Sequence, residues 1–464
     1  METEHPPAPP ERPPARTLRE HVSRTLELAW PVVLSRLAFI TLLTIDVIVL
    51  GRAGADELAA YILGLSLSDS LMAATGGLMV GVAVLVARET GAGRDAAAGT
   101  IWRRGLLLGA GAGFAMAVPL QWAEPIYGAL GQTAALAAAA GSVTALVAWA
   151  LPFWAMAYCS MMFLEALHRP LVGTLVLALA NALNLVVNIV LVFGAGPIPA
   201  LGAQGAALST VIVSAFAAVV LHLYIRLALP GRERLGLSGR QDAPRAGEQA
   251  RIGSFAALSY LFEAGAFVAM TILVGWLGTL ALASFGVLFQ ILGLVFMVAF
   301  GIAAATQVRV GNAWGRGDAE GMAMAGWTGL MLAGGFCVAM SAIALMLPGP
   351  VIGLFTTDEA VIAAAVPVVL WVGLALVFDG SQTVMSHACR GRGDTWVPTL
   401  LHFGSYWCVM VPAAYLLAIR GEGGVTGADA TAGHSHVRSA VLDEIDLRLV
   451  IVLKRRAQTD QFVH

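Results

Sequence analysis

This sequence has few charged residues. Only 12% of its 464 residues are charged and Lys454 is the only lysine, whereas a soluble domain carries about 25% charged residues. Apolar side chains make up 58% of the chain, and its mean hydropathy is +0.79. This composition excludes an ordinary soluble protein and indicates a polytopic, all-helical membrane protein. Because lysine is so rare, arginine carries the topology signal.

The sequence also lacks the short motifs of common enzymes. It contains no G-x-S-x-G, H-E-x-x-H or Walker A pattern, so neither hydrolase chemistry nor intrinsic ATP hydrolysis is predicted. The four cysteines lie in or at the ends of apolar runs without metal-ligand spacing, which is typical of packing residues: Cys159, Cys337, Cys389 and Cys408. We therefore expect no enzyme activity, no cofactor and no nucleic-acid partner.

The first apolar run, Leu28–Leu50, is long enough to cross a membrane. As a helix it covers roughly 34 Å, and a hydrocarbon core is about 30 Å thick. Its ionisable residues are Arg36, which we expect to snorkel toward the headgroups, and Asp46. Since a carboxylate in a span costs about 2.5–3.5 kcal/mol, Asp46 is expected to face protein or a water-filled cavity. The alternative is that Asp46 reaches the headgroups from the last turn of the helix.

Ten further apolar runs follow, which makes eleven predicted spans. They are Leu58–Val86, Gly105–Trp122, Leu136–Leu164, Leu171–Phe193, Gly205–Ile225, Phe255–Gly275, Leu282–Ala305, Met322–Leu347, Val361–Cys389 and Leu400–Ile419. Arginines concentrate in every second loop, and by the positive-inside rule these loops and the N-terminus are cytoplasmic. We expect a multi-pass protein of the cell inner membrane.

The two halves of the chain are repeats. A shift of 224 residues aligns glycines and other residues of the first spans, and a shift of 225 continues the alignment: Gly51 with Gly275, Gly54 with Gly278, Leu58 with Leu282, Gly77 with Gly301, and Thr174 with Thr399. Because this offset spans an even number of helices, both halves run the same way through the membrane. Such a parallel repeat is an architecture of secondary transporters, with the substrate site between the halves.

The predicted domains follow from this repeat. They are a disordered cytoplasmic tail (1–24), an N-lobe of six helices (25–229), a cytoplasmic linker (230–251), a C-lobe with helices 7 to 11 (252–427) and an atypical segment (428–464). A twelfth helix is doubtful, because the window 430–450 contains His434, His436, Arg438, Asp443, Glu444, Asp446 and Arg448. Either helix 12 is lost, or the sequence beyond about Ala428 comes from a shifted reading frame.

Several spans carry polar side chains that insertion disfavours. Asn184 and Asn188 are spaced i, i+4 and share one helical face. Asn188 and Asp46 lie at a similar depth, so we expect them to face each other and to bind a proton or Na⁺, which prefers oxygen ligands. The alternative role of the asparagines is interhelical hydrogen bonding, worth about 0.6 kcal/mol each. Glu263 and Asp379, deep in helices 7 and 10, predict a second acidic site whose protonation is switchable.

Aromatic and methionine side chains cluster in helices 4 and 8. The predicted substrate-cavity residues are Trp149, Phe153, Trp154, Met156, Phe289 and Phe296. Such surfaces suit flat cationic organic molecules through cation–π and adaptable apolar contacts. Ordinary packing or lipid contact is the alternative interpretation.

The chain resembles the multidrug and toxic compound extrusion (MATE) family of antiporters. The resemblance covers roughly residues 20–427 and rests on the order of several segments, among them VARETGAG (86–93), NALNLVVNIVLVFG (181–194), GAQGAALST (202–210), FEAG (262–265), VRVGNAWGRGD (308–318) and FDGSQTVMSHACRGRGDT (378–395). It implies two six-helix lobes arranged as an outward-facing V. By matching position it implies an N-lobe ion site at Asp46, Asn184 and Asn188 and a C-lobe acidic site at Glu263 and Asp379. In another branch of the family an aspartate stands where Asn188 is.

The function that we expect is cation-coupled multidrug efflux. Inward movement of Na⁺ or H⁺ would drive the export of cationic or amphipathic organic compounds by a monomer in the lipid bilayer. One alternative is a lipid-linked saccharide flippase of the same superfamily, whose cavity would be lined by many arginines. Another is a non-transporting, degenerate paralogue.

Overall fold

A computed structural model describes residues 18–239 and 241–420, and the chain is almost entirely helical within these ranges. The helices of the first half are α1 (Leu18–Ala53), α2 (Ala55–Gly91), α3 (Ala96–Ala117), α4 (Ala123–Ala129), α5 (Ala134–Val147), α6 (Ala150–Ala166), α7 (Pro170–Phe193) and α8 (Gly202–Leu223). Those of the second half are α9 (Ala246–Trp276), α10 (Thr279–Gly315), α11 (Ala319–Met346), α12 (Pro348–Gly353), α13 (Glu359–Ala365), α14 (Val369–Gly391), α15 (Trp396–His402) and α16 (Val411–Arg420).

The prediction of an all-helical, polytopic membrane protein is confirmed. Among the described residues, nine helices are long and apolar enough to cross a membrane, or ten if α5 and α6, which meet at a bend of 42°, form one span. The eleventh predicted span is helical too, but it is divided among α15, the π-helical segment Phe403–Met410 and α16. Several helices extend beyond the apolar runs that predicted them, since polar residues continue the helix outside the apolar stretch.

Local sequence signals explain where several helices begin and end. Asp318 accepts a hydrogen bond from the backbone N–H of Gly321 at 2.7 Å, so it caps α11. Pro170 occupies the first turn of α7, where its missing N–H costs nothing. Gly194, with φ of 79°, ends that helix in a conformation that favours glycine.

Two predicted boundaries are wrong in detail. Residues 18–24 belong to α1 rather than to a disordered tail, and their helical turn is held by Arg309 of α10, which donates to the carbonyl oxygen of His21 at 3.0 Å. The linker is shorter than 230–251, because α9 already begins at Ala246. Residues 421–464 lie outside the described ranges. The predicted loss of helix 12 falls on these residues and stays a prediction. The other domain boundaries remain predictions.

Equivalent hydrogen bonds in the two halves confirm the repeat. The hydroxyl of Thr174 donates to the carbonyl oxygen of Pro31 at 2.6 Å, and the hydroxyl of Thr399 donates to that of Phe255 at 2.8 Å. The predicted shifts of 225 and 224 residues relate these partners to one another. Glycines with positive φ also occupy equivalent turns, namely Gly54 with Gly278 and Gly93 with Gly317.

The two halves meet at the end of the molecule that carries the arginine-rich loops. Helix α2 crosses α9 there so closely that a methyl group on Gly253 would overlap the carbonyl oxygen of Leu78. A methyl group on Gly77 would equally overlap the backbone of α9. An ion pair between Arg88 and Glu248, 2.9 Å long, joins the same two helices. Small residues therefore let the halves close tightly at this end.

Candidate ion-binding and substrate sites

A fully buried carboxylate, that of Asp46, lies among four helices of the first half. Its Oδ1 accepts hydrogen bonds from the amide nitrogens of Asn184 at 2.8 Å and Asn188 at 2.6 Å. Its Oδ2 accepts from the hydroxyl of Tyr61 at 2.6 Å. The carboxylate and both amides have no exposed surface. The predicted contact of Asp46 with the asparagines is therefore present, and the alternative in which Asp46 reaches the headgroups is wrong.

The fold fixes the orientation of these amides. Asn184 and Asn188 lie one turn apart on the same face of α7, which packs against α1. Ser209 of α8 donates to Oδ1 of Asn184 at 2.9 Å, so the amide nitrogen of Asn184 turns toward Asp46. Sequence reasoning missed Tyr61 and Ser209. The segment GAQGAALST, which ends at Thr210, was the signal that pointed to this part of α8.

The hydrogen-bond donors around Asp46 are all neutral groups. Within the described ranges no basic side chain forms an ion pair with Asp46. A buried charge held only by neutral donors can exchange them for a cation, since its negative charge is not neutralised. The Oδ1 atom of Asn188 is buried and has no hydrogen-bond partner among the described residues. Together with the carboxylate it offers the oxygen ligands that a small hard cation prefers.

The second predicted acidic site surrounds Tyr406. Asp379 of α14 accepts a hydrogen bond from the Tyr406 hydroxyl at 3.4 Å. Glu263 of α9 also interacts electrostatically with this tyrosine. Both acids are half-buried, so the C-lobe pair is more open than the site around Asp46. The structure thus brings Glu263 and Asp379 to one tyrosine that sequence reasoning did not single out.

Arg36 does not snorkel, and that prediction is wrong. The residue is only 7% exposed, and its guanidinium pairs with the carboxylate of Glu165 at 3.3 Å. The guanidinium carbon lies 5.2 Å from the ring centroid of Tyr158, in the first half, and 5.3 Å from that of Phe300, in the second. A buried ion pair between two aromatic rings therefore lies where the halves meet.

The structure scatters the predicted substrate-cavity residues. Trp154 stacks on Tyr158 with a centroid distance of 4.9 Å, and Phe296 lies 6.0 Å from Phe300, so both adjoin the rings around Arg36. The other four lie apart from this group: Trp149 pairs with Phe114 of α3, Phe153 is exposed, Met156 packs against the core of the first half, and Phe289 packs against Phe267 and Phe285. A role of the six in binding substrate stays a prediction.

The fold and these sites together define a class of protein. Two helical halves related by a parallel repeat, with ionisable groups buried in both, are the architecture of a secondary membrane transporter. Each half contributes a carboxylate that accepts hydrogen bonds from hydroxyl or amide donors.

Comparisons with known proteins identify the family. The family model described as MatE matches residues 31–190 and 256–416. A probable multidrug resistance protein NorM of Caulobacter vibrioides is 36% identical over 421 residues, covering 90% of this chain and 89% of its own length. A protein of the same name from Brucella suis is 33% identical over 414 residues, with 86% and 87% covered. The chain therefore belongs to the MatE family and is a transporter rather than an enzyme, as its motifs predict.

Solved structures of this family share the fold. A eukaryotic MATE transporter, AtDTX14, superimposes with a TM-score of 0.80 at 20% identity, covering 96% of this chain and 99% of the other. A multidrug resistance MATE family transporter in an outward-facing conformation gives a TM-score of 0.79 at 17% identity, with 97% and 99% covered.

Proposed function

We propose that this protein is a cation-coupled multidrug efflux antiporter. It exports cationic or amphipathic organic compounds as a monomer, from an inner membrane in which its N-terminus is cytoplasmic. The observation that carries the proposal is the fully buried Asp46 carboxylate, held by three neutral donors. The names of the NorM relatives support export of drugs.

The coupling follows from two states of the lobes. Cation binding at Asp46, or at Glu263 and Asp379, changes the charge of a buried site and so favours one arrangement of the helices around it. A drug in the space between the lobes favours the other arrangement. The two ligands thereby bias opposite states, and the inward movement of one drives the outward movement of the other. The aromatic rings around Arg36 supply a surface that accepts flat organic molecules.

The purified protein in lipid vesicles tests this proposal. With a cationic dye loaded on one side, we expect a pH gradient or a Na⁺ gradient, imposed separately, to accelerate dye movement across the membrane. The gradient that works identifies the coupling ion, and vesicles without a gradient are the control. If neither gradient accelerates the dye, or any of several dyes and drugs, the antiporter proposal is wrong.

Replacement of Tyr61 by phenylalanine is expected to lower gradient-driven efflux about tenfold, because a hydrogen bond to a charged group contributes about 1.5–3 kcal/mol. The ring stays buried, and only the hydroxyl that donates to Asp46 is lost. The matched control is Tyr127→Phe, which removes a buried hydroxyl of the same half that bonds to Leu63 and Thr144, away from Asp46. Equal rates for the two variants in the vesicle assay would contradict a role of Tyr61 in the site.

A further inference from the structure

A chain of hydrogen bonds in the second half connects Asp379 with Arg390, and ring contacts continue from Arg390 to the contact between the lobes. We propose that His402 and Tyr406 are positioning residues for Asp379 and that they transmit its charge state to Arg390. This inference rests on the proposed function, because it gives these residues a role in cation coupling. The inference adds a series of contacts through which Asp379 acts on the contact between the two lobes.

The chain begins at the acid and passes through four side chains before it reaches Arg390. The hydroxyl of Tyr406 donates to Asp379 Oδ1 at 3.4 Å, and Nε2 of Gln382 lies 3.5 Å from the same hydroxyl. That amide nitrogen also lies 3.0 Å from Nε2 of His402. On its other side, Nδ1 of His402 lies 2.8 Å from the hydroxyl of Ser259. His402, Gln382 and Ser259 are all buried.

The amide nitrogen of Gln382 faces the Tyr406 hydroxyl on one side and the ring of His402 on the other. Because an amide nitrogen only donates, Nε2 of His402 accepts from Gln382, and Nδ1 therefore carries the proton and donates to Ser259. Ser259 accepts a second hydrogen bond, from Nη2 of Arg390 at 3.0 Å. The imidazole of His402 thus connects Gln382, which lies toward Asp379, with Ser259, which lies toward Arg390. A change in one of these two hydrogen bonds alters the strength of the other.

Arg390 is an unusual end point for such a chain. It is 1% exposed, and within the described part of the chain its guanidinium donates to the hydroxyls of Ser259 and Tyr260 rather than to a carboxylate. Its Nε has no hydrogen-bond partner in residues 18–239 and 241–420. A buried cation held only by hydroxyls is sensitive to the arrangement of those hydroxyls, because each lost donor–acceptor contact leaves a charged group unsatisfied.

The contact between the lobes lies directly beyond Arg390. The guanidinium carbon of Arg390 lies 4.9 Å from the ring centroid of Tyr260, whose ring lies 6.3 Å from that of Phe300. Phe300 in turn contacts Arg36 of the first half at 5.3 Å. A continuous series of contacts therefore runs from Asp379 to Arg36 and its partner Glu165.

The backbone is irregular where the chain meets the acid. Residues Phe403–Met410, which include Tyr406, form a π-helix directly after His402. The equivalent residues of the first half lie in α7, which is α-helical throughout. Single π-helical turns often mark functional sites. The two longest hydrogen bonds of the chain, 3.4 and 3.5 Å, are both made by Tyr406. The π-helical segment that carries Tyr406 is therefore the joint at which the contact between Asp379 and His402 can change.

Several charged and titratable groups surround this joint. On α9 they are Tyr260 and Glu263, and on α14 they are Asp379, His387 and Arg390, in addition to Tyr406 beside His402. A cation at Asp379 competes with the Tyr406 hydroxyl for the carboxylate oxygen, and so weakens that hydrogen bond. Because the neighbouring donors and acceptors are buried, the freed hydroxyl changes partner, and the change passes through Gln382 and His402 to Arg390.

A double-mutant cycle in vesicles tests the inference. We expect His402→Gln and Tyr406→Phe each to lower gradient-driven dye efflux about tenfold, while the dye concentration for half-maximal rate changes by less than about twofold. The double variant should be about as slow as the slower single variant, because both residues act through one chain. Multiplied losses, or an equal effect on dye affinity, would refute the inference.

The control is His222→Gln. His222 is a half-buried histidine of the first half, and its ring centroid lies 5.2 Å from that of Trp102. It takes no part in the chain of hydrogen bonds between Asp379 and Arg390. We expect this variant to transport at the wild-type rate, and an equal loss in it and in His402→Gln refutes a special role of His402. The variant Asp379→Asn separates the two proposals. Suppose that the wild-type protein transports and Asp379→Asn does not, while the His402 and Tyr406 variants transport like the control. In that case only the present inference fails. If wild-type protein shows no gradient-driven transport, the proposed function fails.

Discussion

Gradient-driven efflux is expected to fall about a hundredfold when Asp46 is replaced by asparagine. A factor of this size lies near the upper end of the coupling measured between two binding sites of one protein. The substituted amide keeps one oxygen for the nitrogens of Asn184 and Asn188, and its own nitrogen can donate to the hydroxyl oxygen of Tyr61. The hydrogen bonds of the site are therefore preserved in number, and folding and insertion should persist. Only the charge that attracts the cation is lost.

Dye efflux from vesicles, normalised to the amount of inserted protein, measures this loss. The matched control is Glu57→Gln. The Glu57 carboxylate accepts from the backbone N–H of Ala203 at 2.6 Å at the start of α8, a bond that an amide oxygen retains. We expect the control to transport like the wild type. Undiminished efflux by the Asp46 variant under both gradients would remove Asp46 from the mechanism.

A valine at Gly253 is expected to hold the lobes apart at the arginine-rich end. Its side chain would overlap the backbone carbonyl of Leu78, which cannot move without a shift of α2. Overpacking of this kind costs about 1–3 kcal/mol, which corresponds to a change of about 5- to 150-fold in the ratio of closed to open lobes. Because alternating access needs both states, transport should fall with the closed population.

A reporter cysteine measures this change directly. In a variant whose native cysteines are replaced, Ala256→Cys places a thiol on α9 that has no exposed surface when the lobes are closed. We expect the Gly253→Val variant to react at least about tenfold faster with a water-soluble thiol reagent. The control is Gly275→Val on the same helix, where an added Cβ meets no described atom within 4 Å. Equal labelling of the two variants would show that the α2–α9 crossing does not control opening.

The candidate ion site could be predicted from the sequence only in part. The spacing of Asn184 and Asn188 placed both on one face, and the depth of Asp46 placed it opposite, so helical geometry alone brought the three together. The spacing of residues did not identify Tyr61 or Ser209, although Ser209 lies in the segment GAQGAALST, because a single hydroxyl in an apolar helix is compatible with many orientations. They become visible only when the helices are packed.

Arg36 shows the opposite case, in which local reasoning led to the wrong conclusion. A long basic side chain near the end of a span usually reaches the headgroups. Here a buried carboxylate, Glu165, lies 129 positions further along the chain, and two rings complete its surroundings. The partner that keeps Arg36 inside could not be found from the neighbouring residues.

The sequence by itself determined the class of the protein, the order of its spans, the parallel repeat and the presence of acids within the membrane. These properties depend on the length of apolar runs and on the spacing of residues, both of which are local. Only the tertiary structure decided which polar groups meet: Asp46 with Tyr61, Arg36 with Glu165, and Asp379 with Tyr406. Such pairings depend on how each helix is rotated and where it crosses its neighbours, and close packing between distant segments sets both.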